Sequence, residues 1–262
     1  MLRQTLTYAI LIGIACIMAL SLSINTSLAL TGDEILKKVD QTANAPKDRV
    51  ATLKMVLVDK NGEKKEREVT MWQKGDQKRL IRFLSPADVK GVGFLSRSGS
   101  RSNRAKPDEQ MYLYMPAFRK IRRIASHIKN ESFMGTDFSY DDIAQTKYAD
   151  DYTAKILEET ETHYVLELSP KPKSDADYSK LKMWVDKKTY VYDKMEYYDK
   201  KSKLQKVLTA RKIKQVDGYW TPQEMEMHDV QKEHKTTMLF TKMQHDTGLK
   251  DKLFTQRYLK RR

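Results

Sequence analysis

The 262 residues predict a mainly β (α+β) protein built on one large, curved antiparallel sheet. Three observations carry that expectation. From Arg49 onward, apolar residues alternate with charged ones at period two. Turn chemistry interrupts the alternation at roughly ten-residue intervals. Helical periodicity is confined mainly to one short segment near the start of the alternating region. A flat sheet of about ten strands is unstable and must curl. The expected form is a barrel, or a half-open barrel whose concave face is covered by helices.

The elements follow in order. Thr31 and Glu34 have capping-box spacing, and Ile35, Leu36 and Val39 recur at helical intervals, so a helix is expected over Asp33–Thr42, stopped by Pro46. Arg49–Asp59 reads as a strand. Lys60-Asn61-Gly62 is a hairpin turn, because Asn-Gly readily takes positive φ. Glu66–Gln73 returns, Gly75-Asp76 turns, and Arg79–Ser85 is a third strand. Pro86–Lys90 reads as one helical turn, and Val92–Ser96 resumes strand. Ser96–Lys106, with Arg97, Arg101 and Arg104, is expected to be an exposed loop. Gln110–Met115 is a strand with Tyr112 and Tyr114 on one face and Met111, Leu113 and Met115 on the other. Further strands are expected at Thr153–Glu159, His163–Ser169, Lys180–Asp186, Tyr190–Tyr198, Leu204–Ile213, Glu224–Asp229 and Thr236–Met243. Phe254–Tyr258 is expected as a short closing strand.

The segment ahead of these elements, Met1–Ala29, reads as a cleavable secretory leader. Arg3 supplies the positive start, Tyr8–Leu20 the apolar run, and Ser27-Leu28-Ala29 the small-x-small site. The run is shorter than the about 20 apolar residues of a spanning helix. The alternative is an uncleaved leader that tethers the chain to the inner membrane. Acylation at Cys16 is disfavoured, since Gly13-Ile14-Ala15 lacks the usual leucine and Cys16 lies inside the apolar run.

Cys16 is the only cysteine, so a chain cleaved at Ala29 has no disulfide, thiol or zinc-thiolate chemistry. Residues 30–262 suit one large domain. The leader holds Arg3 and no acidic residue, so its removal takes the net charge from +14 to +13. Export turns that charge away from nucleic acid and toward acidic head groups, an anionic membrane face or an acidic protein.

No catalytic constellation is present. There is no phosphate loop, no His-Glu-x-x-His and no Gly-x-Ser-x-Gly. Glu224, Glu226 and His228 share a strand face that reads as solvated. Asp141-Asp142 and Asp150-Asp151 read as turns or caps, because adjacent side chains diverge. The unusual stretch is Met111–Ile143. It sets Arg119, Lys120, Arg122, Arg123 and Lys129 beside Phe133, Met134, Phe138 and Tyr140, a combination suited to an amphiphile.

In that stretch Tyr112-Leu113-Tyr114-Met115-Pro116, Arg119-Lys120-Ile121-Arg122-Arg123-Ile124 and Ser132-Phe133-Met134-Gly135-Thr136-Asp137-Phe138-Ser139-Tyr140-Asp141-Asp142 resemble the LolA-like outer-membrane lipoprotein-sorting proteins. Gly32-Asp33-Glu34-Ile35-Leu36 looks like that family's first helix. The resemblance implies a half-open antiparallel β-barrel with a helical lid over an apolar cavity. It implies a periplasmic carrier of lipid or of an acylated lipoprotein, with no catalytic residue, cofactor or metal. An RND-type transporter and an outer-membrane acceptor are the implied partners, with peripheral membrane contact. The cavity candidates are Trp72, Phe83, Phe94, Tyr112, Tyr114, Phe133, Met134 and Phe138. The candidates for contact with head groups or a partner are Arg119, Arg122 and Arg123. The competing readings are an envelope protein-interaction module without lipid cargo, and an envelope hydrolase using Asp141 and Asp142.

Overall fold

The computed structural model describes residues 29–98, 109–144, 147–172 and 174–261. Nearly all of the leader and most of the Ser96–Lys106 segment therefore lie outside the described residues. Helix α1 (Gly32–Ala43) starts at its capping box: the Glu34 amide donates to Thr31 Oγ1 at 3.3 Å, and the Thr31 amide donates to the Glu34 carboxylate at 2.8 Å.

Six strands follow as a meander: β1 (Asp48–Val58), β2 (Lys64–Lys74), β3 (Lys78–Ser85), β4 (Gly93–Ser98), β5 (Glu109–Met115) and β6 (Lys120–Ile124). A second run comprises β7 (Tyr152–Glu159), β8 (His163–Pro170), β9 (Lys180–Asp186), β10 (Tyr192–Tyr198) and β11 (Leu204–Arg211). A separate hairpin, β12 (Lys214–Val216) and β13 (Tyr219–Thr221), precedes β14 (Glu224–Asp229) and β15 (His234–His245). Thirteen strands form one antiparallel sheet in the order β6-β5-β4-β3-β2-β1-β15-β14-β11-β10-β9-β8-β7.

The first and last strands of the sheet pair in its middle. Consecutive strands β6 and β7 therefore stand at opposite edges, and the chain between them has to cross the sheet. That crossover carries two single helical turns, Ser126–Ile128 and Phe133–Gly135, and helix α2 (Tyr140–Ala144). It runs over the concave face and is anchored there by an aromatic cluster. The Phe133 ring lies 5.9 Å from Phe83, 5.2 Å from Phe94 and 5.4 Å from Tyr140. Met134 and Gly135 both take positive φ, and the Met134 carbonyl accepts a hydrogen bond from the Arg67 guanidinium.

Helix α1 leans on the edge strand β7. Asp33 accepts from the Ala154 amide at 2.7 Å, and a Cβ on Gly32 would come within 2.4 Å of the Ala154 carbonyl oxygen. The helix thus covers an edge that would otherwise offer free backbone groups to another chain.

The convex face of β2–β5 is covered by the C-terminal segment, where Phe254 and Leu259 bury Leu80, Leu95, Tyr112 and Tyr114. Here the expected closing strand is replaced. Residues Asp251–Leu253 form a helical turn and Gln256–Leu259 a short helix, α3, capped by the Thr255 side chain accepting from the Tyr258 amide. Pro86–Lys90 forms turns rather than a helical turn, stitched by Val89 N–H to Pro86 O at 3.2 Å and Val92 N–H to Val89 O at 3.0 Å. Strand β4 runs on to Ser98 because Ser96 pairs across to Arg79 and Met111, and Arg97 donates to Gln110. Ser96, expected where strand passes into loop, is accordingly buried within the strand.

The C-terminal segment is tied down by Asp48. Its carboxylate accepts from the Thr247 amide and hydroxyl, each at 2.8 Å, the Gly248 amide at 3.0 Å and the Leu249 amide at 2.9 Å. Burial raises the pKa of this carboxyl, but the four donors outweigh it and hold the group below the ordinary aspartate value. Asp48→Ala is expected to cost about 2–4 kcal/mol in urea unfolding. The wild-type contribution is present above the unfolded-state pKa, about 4, and is lost as pH falls through the lower folded value, so the gap between the two proteins should shrink below pH 4.

Candidate functional site

A cavity of about 210 Å³ lies between the concave face, α1 and the crossover. Its walls follow from register. On β1 the inward set is Arg49, Ala51, Leu53, Met55 and Leu57. Pairing places Gln73, Met71 and Val69 opposite the first three on β2, and then Arg79 and Ile81 on β3; Phe83, next in that row, lies in the aromatic cluster beside the cavity. The far wall comes from Tyr192 and Tyr197 of β10, Leu208 and Ala210 of β11, Met225 of β14, and Met238, Phe240 and Met243 of β15. Five strands separate β3 from β10 in the sheet, yet both face the same space, which shows how strongly the sheet curls. Val39 and Ala43 of α1, and Phe138 and Ile143 of the crossover, form the cover.

The lining is chemically divided. The rows Ala51-Met71-Ile81 and Leu53-Val69 are apolar, and five methionines (Met55, Met71, Met225, Met238, Met243) supply flexible, polarizable walls. One end is polar. There Arg49, Gln73 and Arg79 lie in a single row across β1–β3. Arg49 donates to the Ala43 carbonyl at the end of α1. Arg79 donates to the Ile143 carbonyl near the end of α2 and to Gln73 Oε1 at 2.8 Å. Such carbonyls have no partner within their own helix. Desolvation pulls the Arg49 pKa below the usual arginine value. Burial pushes the Tyr148, Tyr192 and Tyr197 hydroxyls above the ordinary tyrosine range, so they stay neutral donors.

Two carboxylates also reach this space. Asp40 accepts from the Tyr148 and Ala149 amides at 2.9 and 2.8 Å, and burial raises its pKa to about 6. Asp142 takes part in the cap of α2: the Ser139 amide donates to its carboxylate at 2.8 Å, and its own amide donates to Ser139 Oγ at 2.9 Å. The same carboxylate accepts from Tyr178 at 3.0 Å and from Lys206 at 3.1 Å, with both charged side chains only 7% exposed. Asp141 turns instead to Lys129, at 3.3 Å, and burial raises it to about 6. The adjacent acids therefore serve different partners and do not face one another as a couple. Glu224 and Glu226 face outward and bridge to Arg211, while Met225 and Met227 point inward. Among the described residues no group of three or more His, Cys, Asp or Glu converges as a metal site.

Of the eight cavity candidates, Phe138 lies on the wall. Phe83, Phe94 and Phe133 are fully buried in the aromatic cluster that anchors the crossover, beside the cavity and not at its surface. Met134 sits at the strained turn held by Arg67. Trp72, Tyr112 and Tyr114 are on the convex face under the C-terminal segment. The cause is parity: Trp72 follows the inward Met71, and Tyr112 and Tyr114 flank the inward Leu113. Arg119, Arg122 and Arg123 are exposed on and beside the edge strand β6, next to Phe118, and do not line the cavity. Arg49 and Arg79, which no sequence motif singles out, do line the cavity. Each is a charge on the face of its strand that otherwise holds only apolar residues.

The family model of an uncharacterized protein family matches residues 75–261. Among solved structures, a DUF1329 family protein from Desulfovibrio piger is 29% identical, with a TM-score of 0.80 over 87% of this chain and 97% of that one. A domain assigned to outer membrane lipoprotein sorting, from Vibrio parahaemolyticus, is 30% identical, with a TM-score of 0.78 over 88% and 98%. A LolA superfamily protein from Nitrosomonas europaea, 21% identical, shares the fold with a TM-score of 0.71 over 88% and 100%. None of the curated proteins matches the chain. The chain belongs to the family of that model and of the outer membrane lipoprotein-sorting domain from Vibrio parahaemolyticus, and it has the fold of the LolA superfamily protein.

Removing the Asp142 carboxylate leaves a buried lysine without its counter-charge. Asp142→Ala is expected to lower unfolding free energy by about 3–5 kcal/mol, measured by urea denaturation. Asp40 and Asp141 bind protons more tightly when folded than unfolded. Their contribution is therefore greatest below the unfolded-state pKa and is lost as pH rises through about 6. The urea midpoint should fall as pH is raised from 5 to 7, and fall less steeply in Asp141→Asn.

Proposed function

We propose that this protein is a periplasmic carrier that shelters the acyl chains of a lipid or lipoprotein between the two membranes. On this reading Met1–Ala29 is removed on export and residues 30–262 are the carrier. The observation that carries it is the lining of the cavity: apolar rows and five methionines under a cover made of one helix and one crossover segment. Burial of apolar surface stabilises at roughly 25 cal/mol per Å², so an acyl chain needs no directional chemistry to bind. Flexible thioether side chains adapt to chains of differing length and branching. No helix among the described residues is long and apolar enough to cross a membrane. The carrier would be non-enzymatic, with release by movement of the cover or by handover to a partner such as an RND-type transporter or an outer-membrane acceptor.

Arg119, Arg122 and Arg123, with the 65%-exposed Phe118 beside them, would meet the membrane or the acceptor. A role as a protein-interaction scaffold filled by its own side chains is not favoured, because the side chains leave the cavity open.

The test uses cavity filling. Ala210 lines the wall and is buried. Ala210→Trp is expected to weaken uptake of a fluorescent acyl probe by at least about tenfold, with the far-ultraviolet spectrum preserved. Trp220 also lines the cavity and is 42% exposed, so its emission should respond to the probe, and Trp220→Phe should abolish that response. Unchanged uptake in Ala210→Trp, or no uptake and no co-purified lipid in the wild type, would contradict the proposal.

A further inference from the structure

The two ends of the cavity differ, and the difference selects among amphiphiles. Arg49 and Arg79 stand on β1 and β3, two strand spacings or about 10 Å apart at the backbone, in one row with Gln73 between them. Both belong to inward sets that are otherwise apolar beyond this row. Arg49 is half-buried and reached by the cavity, and its described polar contact is the Ala43 carbonyl. A guanidinium has five N–H donors in a rigid fork, and one carbonyl satisfies only part of that capacity. A guanidinium that lines a largely apolar cavity normally has a carboxylate beside it. Here the described carboxylates of the cavity are engaged elsewhere: Asp142 by Lys206 and Tyr178, and Asp40 by two backbone amides. The neighbour of Arg49 on β15 is His245, whose pKa is pulled down by burial and by Arg49 itself, which favours the neutral ring. The neutral Tyr192 hydroxyl completes a corner rich in donors.

We infer that this corner is a head-group site, and that the cargo is an amphiphile with an anionic head, a carboxylate or a phosphate monoester, seated on Arg49 and Arg79 with its chain along the methionine wall. The inference rests on the carrier reading and sharpens it: the cargo is a charged lipid and not a neutral one. A planar guanidinium pair suits either acid, since both offer oxygens for two-pronged hydrogen bonds. The head would take up the donor capacity that the Ala43 carbonyl leaves unused on Arg49.

The experiment compares three probes with the same chain, dodecanoate, dodecyl phosphate and 1-dodecanol, each below its aggregation limit, by titration calorimetry on the wild-type protein. At least one of the two anions is expected to bind at least about tenfold more tightly than the alcohol, and the stronger one identifies the head group. In Arg49→Gln combined with Arg79→Gln the ratio of anion to 1-dodecanol affinity should fall to about one. Equal binding of all three probes by the wild type would overturn the inference and leave the carrier reading standing. Binding of none would overturn both. A preference that survives in the double variant would place the head group elsewhere and overturn the assignment. The wild-type comparison holds even where the double variant fails to fold.

Discussion

The first and last strands of the sheet pair at its centre, and this fixes nearly everything else. Because β1 and β15 are neighbours, the two meanders grow outward in opposite directions, and the consecutive strands β6 and β7 end up at the far edges. The connection between them runs across the concave face. A sheet of thirteen strands twists and curls of its own accord, so the crossover becomes a cover over a trough. It cannot fill the trough, because Phe133 pins it to β3 and β4 on one side. The space left over toward β10, β11 and β15 is the cavity.

The sheet then needs protection at its flanks and its back. Helix α1 lies along the β7 edge, with Asp33 accepting from the Ala154 amide and a glycine at the point of closest approach. The C-terminal segment covers the convex face of β2–β5, fastened by Asp48 and by Arg82, which donates to the Tyr258 and Leu259 carbonyls. The C-terminal segment does so without using the concave side, whereas α1 also gives Val39 and Ala43 to the cavity cover. The apolar rows on the concave side are left to line the cavity, the surface a carrier has to keep available.

Strand positions were legible in the sequence because period-two alternation and turn residues are local signals. Asn61-Gly62 and Asp217-Gly218 both mark tight turns with positive φ at glycine, and the Thr31–Glu34 cap set the start of α1. The half-open barrel itself came from family resemblance, since alternation alone cannot say which strands close on which. Trp72, Tyr112 and Tyr114 were natural choices for an apolar cavity by size, but their face depends on register with Met71 and Leu113. The closing strand expected at Phe254–Tyr258 became a turn and a helix, because Thr255 caps the chain there and Phe254 and Leu259 bury against the sheet back. Arg49 and Arg79 carried a readable sign, a charge on an apolar parity. Their common row appears only once three strands are aligned.

The central claim is that an acyl chain occupies the space between the sheet and its crossover. Photolabelling with a fatty acid carrying a diazirine near the chain end, followed by peptide mapping, tests it directly. The account predicts label on the cavity wall, in peptides holding Met225, Met238 or Met243. Label confined to the convex face around Trp72 and Tyr112, or spread evenly over the surface, would contradict it.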